Sequence, residues 1–267
     1  MEEGATAGQT LEGRTTEGVP VFTCDWSVDE LVLMADAGFD PLGLVMGTAV
    51  FHLGSGGGHG RTQPEVAALS QVLRTARERA LARMQAEAMA LGADGVVGVQ
   101  VTVRHGEWGE QVAEFWAGGT AVRARAPGPW RMADETPFTA GFLGQAFWML
   151  VRAGWRPLRV VMGNCVMHRH LPGLLQTLRQ VGHQVEVEEL TQEVIQGREV
   201  AIGRMQAAAA ALGASGVVEV RVAEDHHRWG AHLVEWFAMG TAVQRLQESA
   251  LPTPQLFLAL DTRGGAS

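Results

Sequence analysis

The sequence predicts an α+β protein built from two tandem copies of one small unit. Three observations predict it: a long internal repeat, a helical apolar spacing through the middle of each copy, and strict valine alternation after it. The repeat is the strongest. Residues 37–52 align with 153–168 at an offset of 116, with nine of 16 positions identical. Residues 77–122 align with 198–243 at an offset of 121, with 26 identities in 46 positions and no gap. Self-similarity of this length sets the architecture before any local motif does. It divides the chain into a disordered N-terminal tail at 1–20, a first repeat at 21–125, a linker at 126–136, a second repeat at 137–245 and a C-terminal tail at 246–267. A short last strand is expected at 256–260.

Each element has its own signal. Ser27 with Glu30 three positions later forms a capping box that opens a short helix ending near Gly38. Residues 42–53 read as a strand. Thr62, Pro64 and Glu65 mark the start of a long helix, along which Val66, Leu69, Leu73, Ala76, Ala80, Met84, Ala88 and Leu91 recur at helical spacing. Gly92 terminates it. Val97, Val99, Val101 and Val103 alternate with small or polar residues, as a strand with one buried face requires. A turn near Gly106 and a returning strand over 110–122 complete the unit. Copy two repeats the pattern through 191–212, 217–222 and 233–243, after a helix expected around 140–154. The change in offset falls between His52 and Arg77, where Gly54-Ser-Gly-Gly-Gly-His-Gly60 reads as a surface loop.

Composition narrows the function classes. A net charge of −8 and a pI near 5.6 remove the basic footprint of a nucleic-acid binder and disfavour anionic membranes. All 21 basic residues are Arg, which the bias of a GC-rich genome explains without any functional demand. Two cysteines, Cys24 and Cys165, are too few for a disulfide framework and suit a reducing compartment. Residues 1–18 lack the basic and apolar regions of a secretory signal, and the most apolar window, 138–151, is too short for a membrane span of about 20 residues. A cytoplasmic protein is expected. There is no nucleotide loop, no nucleophile elbow and no HExxH helix, and the glycine-rich run at 54–60 lacks the Lys that phosphate loops use. A non-enzymatic protein is therefore expected.

Three groups of residues could hold a ligand. Cys165, His168 and His170 combine sulfur with imidazole, a set suited to zinc or copper. On a straight strand the two histidines share a face and Cys165 lies on the other, so a chelate needs a bend. His226, His227 and His232 lie around the second hairpin and could take a divalent ion, nickel included. Glu114 and Glu235 each sit between apolar neighbours on the returning strand. A carboxylate there is either buried and paired, with Arg83 or Arg204 as candidate partner, or gathered at a subunit interface.

The runs Arg77-Glu78, Ala80, Arg83-Met84, Ala90-Leu91-Gly92-Ala93, Gly95-Val96-Val97-Gly98-Val99 and Gly119-Thr120-Ala121-Val122 resemble the core signature of the YbjQ-like domain, a family labelled heavy-metal-binding. Arg198-Glu199 through Gly240-Thr241-Ala242-Val243 carries it again. Gly43-Leu-Val-Met-Gly47 and Val160-Val-Met-Gly163 match the family's strand before the long helix. The resemblance implies a dodecin-like β-α-β-β unit, an antiparallel sheet backed by one long helix, in relatives that form pentameric rings. The added helix before each first strand departs from the single-domain pattern, and the family label supplies no ligand set transferable residue by residue. Two-domain chains cannot fill one five-unit ring, so the resemblance implies a homopentamer with two stacked rings. The functional expectation is a ring-forming protein that holds a metal or small ligand; the alternative is a scaffold ring that binds a protein partner and no metal.

Overall fold

The computed structural model describes residues 21–53, 65–105, 112–168, 188–226 and 233–246. The element order is α1 (Val28–Asp36), β1 (Phe39–His52), α2 (Ala67–Ala90), β2 (Gly95–His105), β3 (Val112–Ala124), β4 (Phe138–Thr139), α3 (Gly144–Arg152), β5 (Trp155–His168), α4 (Glu188–Ala211), β6 (Gly216–His226) and β7 (Leu233–Arg245). Each copy is thus an α+β unit of a short helix, a strand, a long helix and two further strands, as the periodicities predict.

The local signals act as expected. Ser27 caps α1: its hydroxyl accepts the Glu30 N–H, and the Glu30 carboxylate accepts the Ser27 N–H at 2.8 Å. Gly92 follows α2 at φ +69°, the left-handed conformation that glycine adopts without a Cβ penalty. The described helix begins at Ala67 rather than near Thr62, because the preceding residues meet the second copy. The Val66 N–H donates to the Val166 carbonyl at 2.8 Å, and Glu65 forms an isolated antiparallel bridge with Met167. Residues 62–64, the hairpin turn at Gly106 and the strand expected at 256–260 lie outside the described residues.

In each copy the third strand is central, giving β1-β3-β2 in one sheet and β5-β7-β6 in the other, all antiparallel. The long helix lies across the first strand, and a glycine sets how closely. A Cβ on Gly47 would run into the Ala80 carbonyl and the Met84 amide of α2; one on Gly163 would meet Ala201 and Met205 of α4 in the same way. Leu73, Ala76, Ala80, Met84 and Ala88 fill the gap beneath α2 with Val45, Ala49 and Phe115.

The two copies are not separate bodies. β4 comes from the second copy yet adds to the first sheet, parallel to β2 with Gly95 opposite Phe138 and Val96 opposite Thr139. Two residues carry no periodicity in the sequence that would mark this strand. Phe138 is fully buried against Phe39 and Phe147, edge-on to the former and stacked with the latter at centroid distances of 6.0 and 5.9 Å. The Thr139 hydroxyl then accepts the Val160 N–H of β5 at 2.7 Å, so β4 bridges the sheets. The first core also takes in Val160, Val166 and Leu233 from the second copy. Each such aliphatic burial contributes about 1.5–3 kcal/mol toward holding the copies together.

Candidate functional site

The densest polar constellation among the described residues lies between the copies. Arg77 of α2 points across to β7, where its two terminal nitrogens donate to the two oxygens of Glu235 at 2.6 and 2.8 Å. Both side chains are buried, Glu235 completely. Its carboxylate also accepts from Asn164 Nδ2 at 2.9 Å, and that amide donates to the Ser70 carbonyl at 3.0 Å. The Arg77 guanidinium lies 4.2 Å from the Phe237 ring centroid, so an aromatic face covers it on one side. A charge buried this deeply is tolerable only when paired and hydrogen-bonded in this way, with Nε the one nitrogen of the Arg77 guanidinium that finds no partner among the described residues.

A second pair continues the network toward solvent. Arg204 of α4 donates to Glu65 at 2.6 and 3.1 Å and to the Asn164 carbonyl at 2.6 Å. The Ser70 hydroxyl donates to Glu65 at 2.9 Å and accepts the Val166 N–H at the same distance. Burial pushes the Glu65 carboxyl up, but the bonds from Arg204 and Ser70 and the Arg204 charge outweigh it and hold the group below the usual carboxylate range. The same contact raises the Arg204 guanidinium further above its already high value.

The structure treats the sequence-predicted residues differently. Glu235 is buried and ion-paired, but its partner is Arg77 from the other copy and not an arginine of either candidate pair. Arg204 serves Glu65, and Arg83 donates to the Thr48 carbonyl. Glu114, the equivalent of Glu235, is half-buried on β3 and not joined to it. Cys165 faces the second core with Met167, Met205 and Trp236. His168 lies at the end of β5, on the rim of a cleft shared with Met167, Glu193, Val194, Glu224 and Trp236. His226 ends β6, and His170, His227 and His232 lie outside the described residues.

These placements bear on the zinc, copper or nickel that the sequence suggests. A thiol binds such ions as the thiolate, yet burial first, and the Glu65 charge second, push Cys165 up to about 12, with Arg204 only partly opposing. It is a proton-bearing core side chain at neutral pH. Among the described residues no three His, Cys, Asp or Glu side chains converge. The described part of the predicted ligand set does not fit a metal.

Asn164 and Ser70 carry no signal in the sequence, and Glu65 and Arg77 stand there as a helix-start residue and a signature residue, not as members of a site. Arg77 carried a usable signal, because it falls on the buried face of α2 between Leu73 and Leu81. An arginine in an apolar row must find an acid, and the acid need not lie in its own repeat. Asn164 is the single asparagine of the chain, but its role as a bridge follows only from the fold.

Comparison with known proteins agrees with the repeat. A family described as "putative heavy-metal-binding" (YbjQ) matches residues 61–125 and 155–245. The chain is also similar to an encapsulin nanocompartment protein of Mycobacterium tuberculosis, 45% identical over 243 residues that cover 90% of this chain and 92% of the relative.

Proposed function

The chain belongs to the YbjQ-like family, and from that premise we propose a non-enzymatic, self-associating protein whose partner is another protein, the shell of an encapsulin-type compartment. What supports the reading is where the polar groups lie. Arg77, Glu235, Asn164, Ser70, Glu65 and Arg204 are engaged with one another and join the repeats, even where Ser70, Asn164 and Arg204 border a small polar cleft with Gln71 and Arg74. Against a metal reading stands the burial of Cys165, which raises its thiol and disfavours the thiolate. The partner class comes from the relative, whose name assigns it to an encapsulin nanocompartment. A cytoplasmic location goes with this reading; no described helix is long and apolar enough to cross a membrane.

Self-association belongs to the same reading. The resemblance implies five chains in two stacked rings, with the repeats of one chain in different rings. The bridge through β4 and the shared core favour instead an arrangement in which the repeats sit side by side and alternate.

The test is co-expression with an encapsulin shell protein from the same genome, followed by isolation of intact shells. The chain should sediment with the shells and resist added protease until they are opened. A chain absent from shells at matched expression would overturn the partner. Independently, chelator-treated protein titrated with zinc, copper or nickel should gain no thermal stability, whereas a stoichiometric gain would restore the metal reading.

A further inference from the structure

The contact between the repeats is head to tail. Repeat one contributes α2 and the β2 edge; repeat two contributes β5, β7 and the β4 segment. The equivalent elements at the far ends of the chain carry several of the same residues, and among the described residues no other repeat packs upon them. Arg198 occupies the position of Arg77, and Glu114 that of Glu235. Yet Arg198 is exposed and Glu114 half-buried, standing across the ladder from Arg104, and neither forms a buried ion pair like that of Arg77 and Glu235 among the described residues. Phe22-Thr23 matches Phe138-Thr139. Phe138 presses on Gly95 so closely that a Cβ there would strike its ring, whereas a Cβ on the equivalent Gly216 would meet open space.

The apolar side chains follow the same rule. On β1, Leu44, Met46 and Val50 are 44, 53 and 52% exposed, while Val160 and Val166, the counterparts of the first and last, are 4 and 0% exposed under repeat one. On repeat two, Val194 and Val220 are 41 and 45% exposed, while their counterparts Leu73 and Val99 are 0 and 1%. One bulky pair is even exchanged in size: Leu143 abuts Gly98, and the corresponding positions hold Ser27 and Glu219. Two faces that are complementary in charge and shape, and each apolar, lie at opposite ends of one chain.

We propose that the exposed face of repeat two (α4 and the β6 edge) docks onto the β1, β3 and N-terminal 21–27 face of repeat one in a second copy of this chain, with Arg198 of one copy pairing Glu114 of the next. The contact reproduces the one inside the chain. Being heterologous, it propagates until it closes into a ring or extends as a filament, and along it repeats one and two alternate. This deepens the self-association reading above and rests on it.

The experiment is sedimentation velocity on the full chain and three variants: Glu114→Arg, Arg198→Glu, and both together. Circular dichroism and thermal melting serve as fold controls, since neither side chain joins the contact within the chain. Wild type should sediment as a multimer, each single reversal should weaken association at least tenfold, and the double reversal should regain the wild-type size. Gly216→Val should leave the fold intact and weaken association by blocking the seat for Phe22. Single reversals that assemble like wild type would overturn this interface while leaving self-association in place. A wild-type chain that stays single at every concentration would overturn both.

Discussion

Arg77→Met is the perturbation whose magnitude follows most directly from the structure. The substitution keeps the length of the side chain but removes both short donors to Glu235, leaving the carboxylate fully out of water without its guanidinium. Breaking a buried pair from one side costs about 3–5 kcal/mol, because the surviving charge stays desolvated. Domains of ordinary size are stable by only about 5–15 kcal/mol, so the variant should lose a large share of the total. Arg198→Met supplies an internal control. It makes the same chemical change at the equivalent but exposed position, where surface substitutions stay within about 0.5 kcal/mol. Replacing both partners, Arg77→Met with Glu235→Leu, should cost less than Arg77→Met alone, since no unpaired charge remains. Urea denaturation at a protein concentration too low for assembly reads all three. Equal losses for Arg77→Met and Arg198→Met would refute the reasoning, because they would mean that the carboxylate is not buried beneath Arg77.

The Cys165 thiol should react with Ellman's reagent at pH 8 only after denaturation, while the half-buried Cys24 reacts in the native protein; fast labelling of both would contradict the core placement of Cys165. The same raised thiol gives stability a slope in alkali: above pH 9.0 the unfolded chain loses the proton that the folded one keeps to about 12, so the urea midpoint should fall with pH across that window. Glu65 gives a slope of opposite sign in acid. Its folded pKa lies below the usual 4.5, so its contribution is present above that value and is lost as pH drops through the folded pKa, and Glu65→Gln should flatten the acid limb of the profile. Gly163→Ala should destabilise by about 1–3 kcal/mol or more, since the added carbon meets helix backbone, which cannot rotate away.

Most of the fold was legible because the repeat fixes the equivalences and each element has a period of its own. The capping box at Ser27 and the helical row from Leu73 to Ala88 predict what is observed. The valine alternation of β2 holds only from Val99 onward, because the register shifts between Val97 and Gln100, with Gly98 at φ +65°, and Val97 packs into the core of Phe39 and Phe138 instead. β4 was not legible: two residues have no alternation to detect, and Phe138-Thr139 becomes a strand only because Gly95 of the other copy leaves room for the ring. The start of α2 differs for a related reason, since Glu65 and Val66 take backbone partners from β5. At the polar site, Glu235 between Leu233 and Phe237 announced a buried pair, but its partner stands 158 residues away in the other copy, on a helix that local spacing relates only to its own sheet. The repeat also concealed a difference. Equal residues at Arg77 and Arg198 lie in unequal surroundings, because in one chain only the inner pair of faces can meet.

Native mass spectrometry of the wild-type chain tests the central claim most directly. The account predicts a discrete species whose mass is a whole multiple of 28.6 kDa, with single chains a minor fraction at micromolar concentration. A spectrum dominated by the 28.6 kDa chain under those conditions would contradict it.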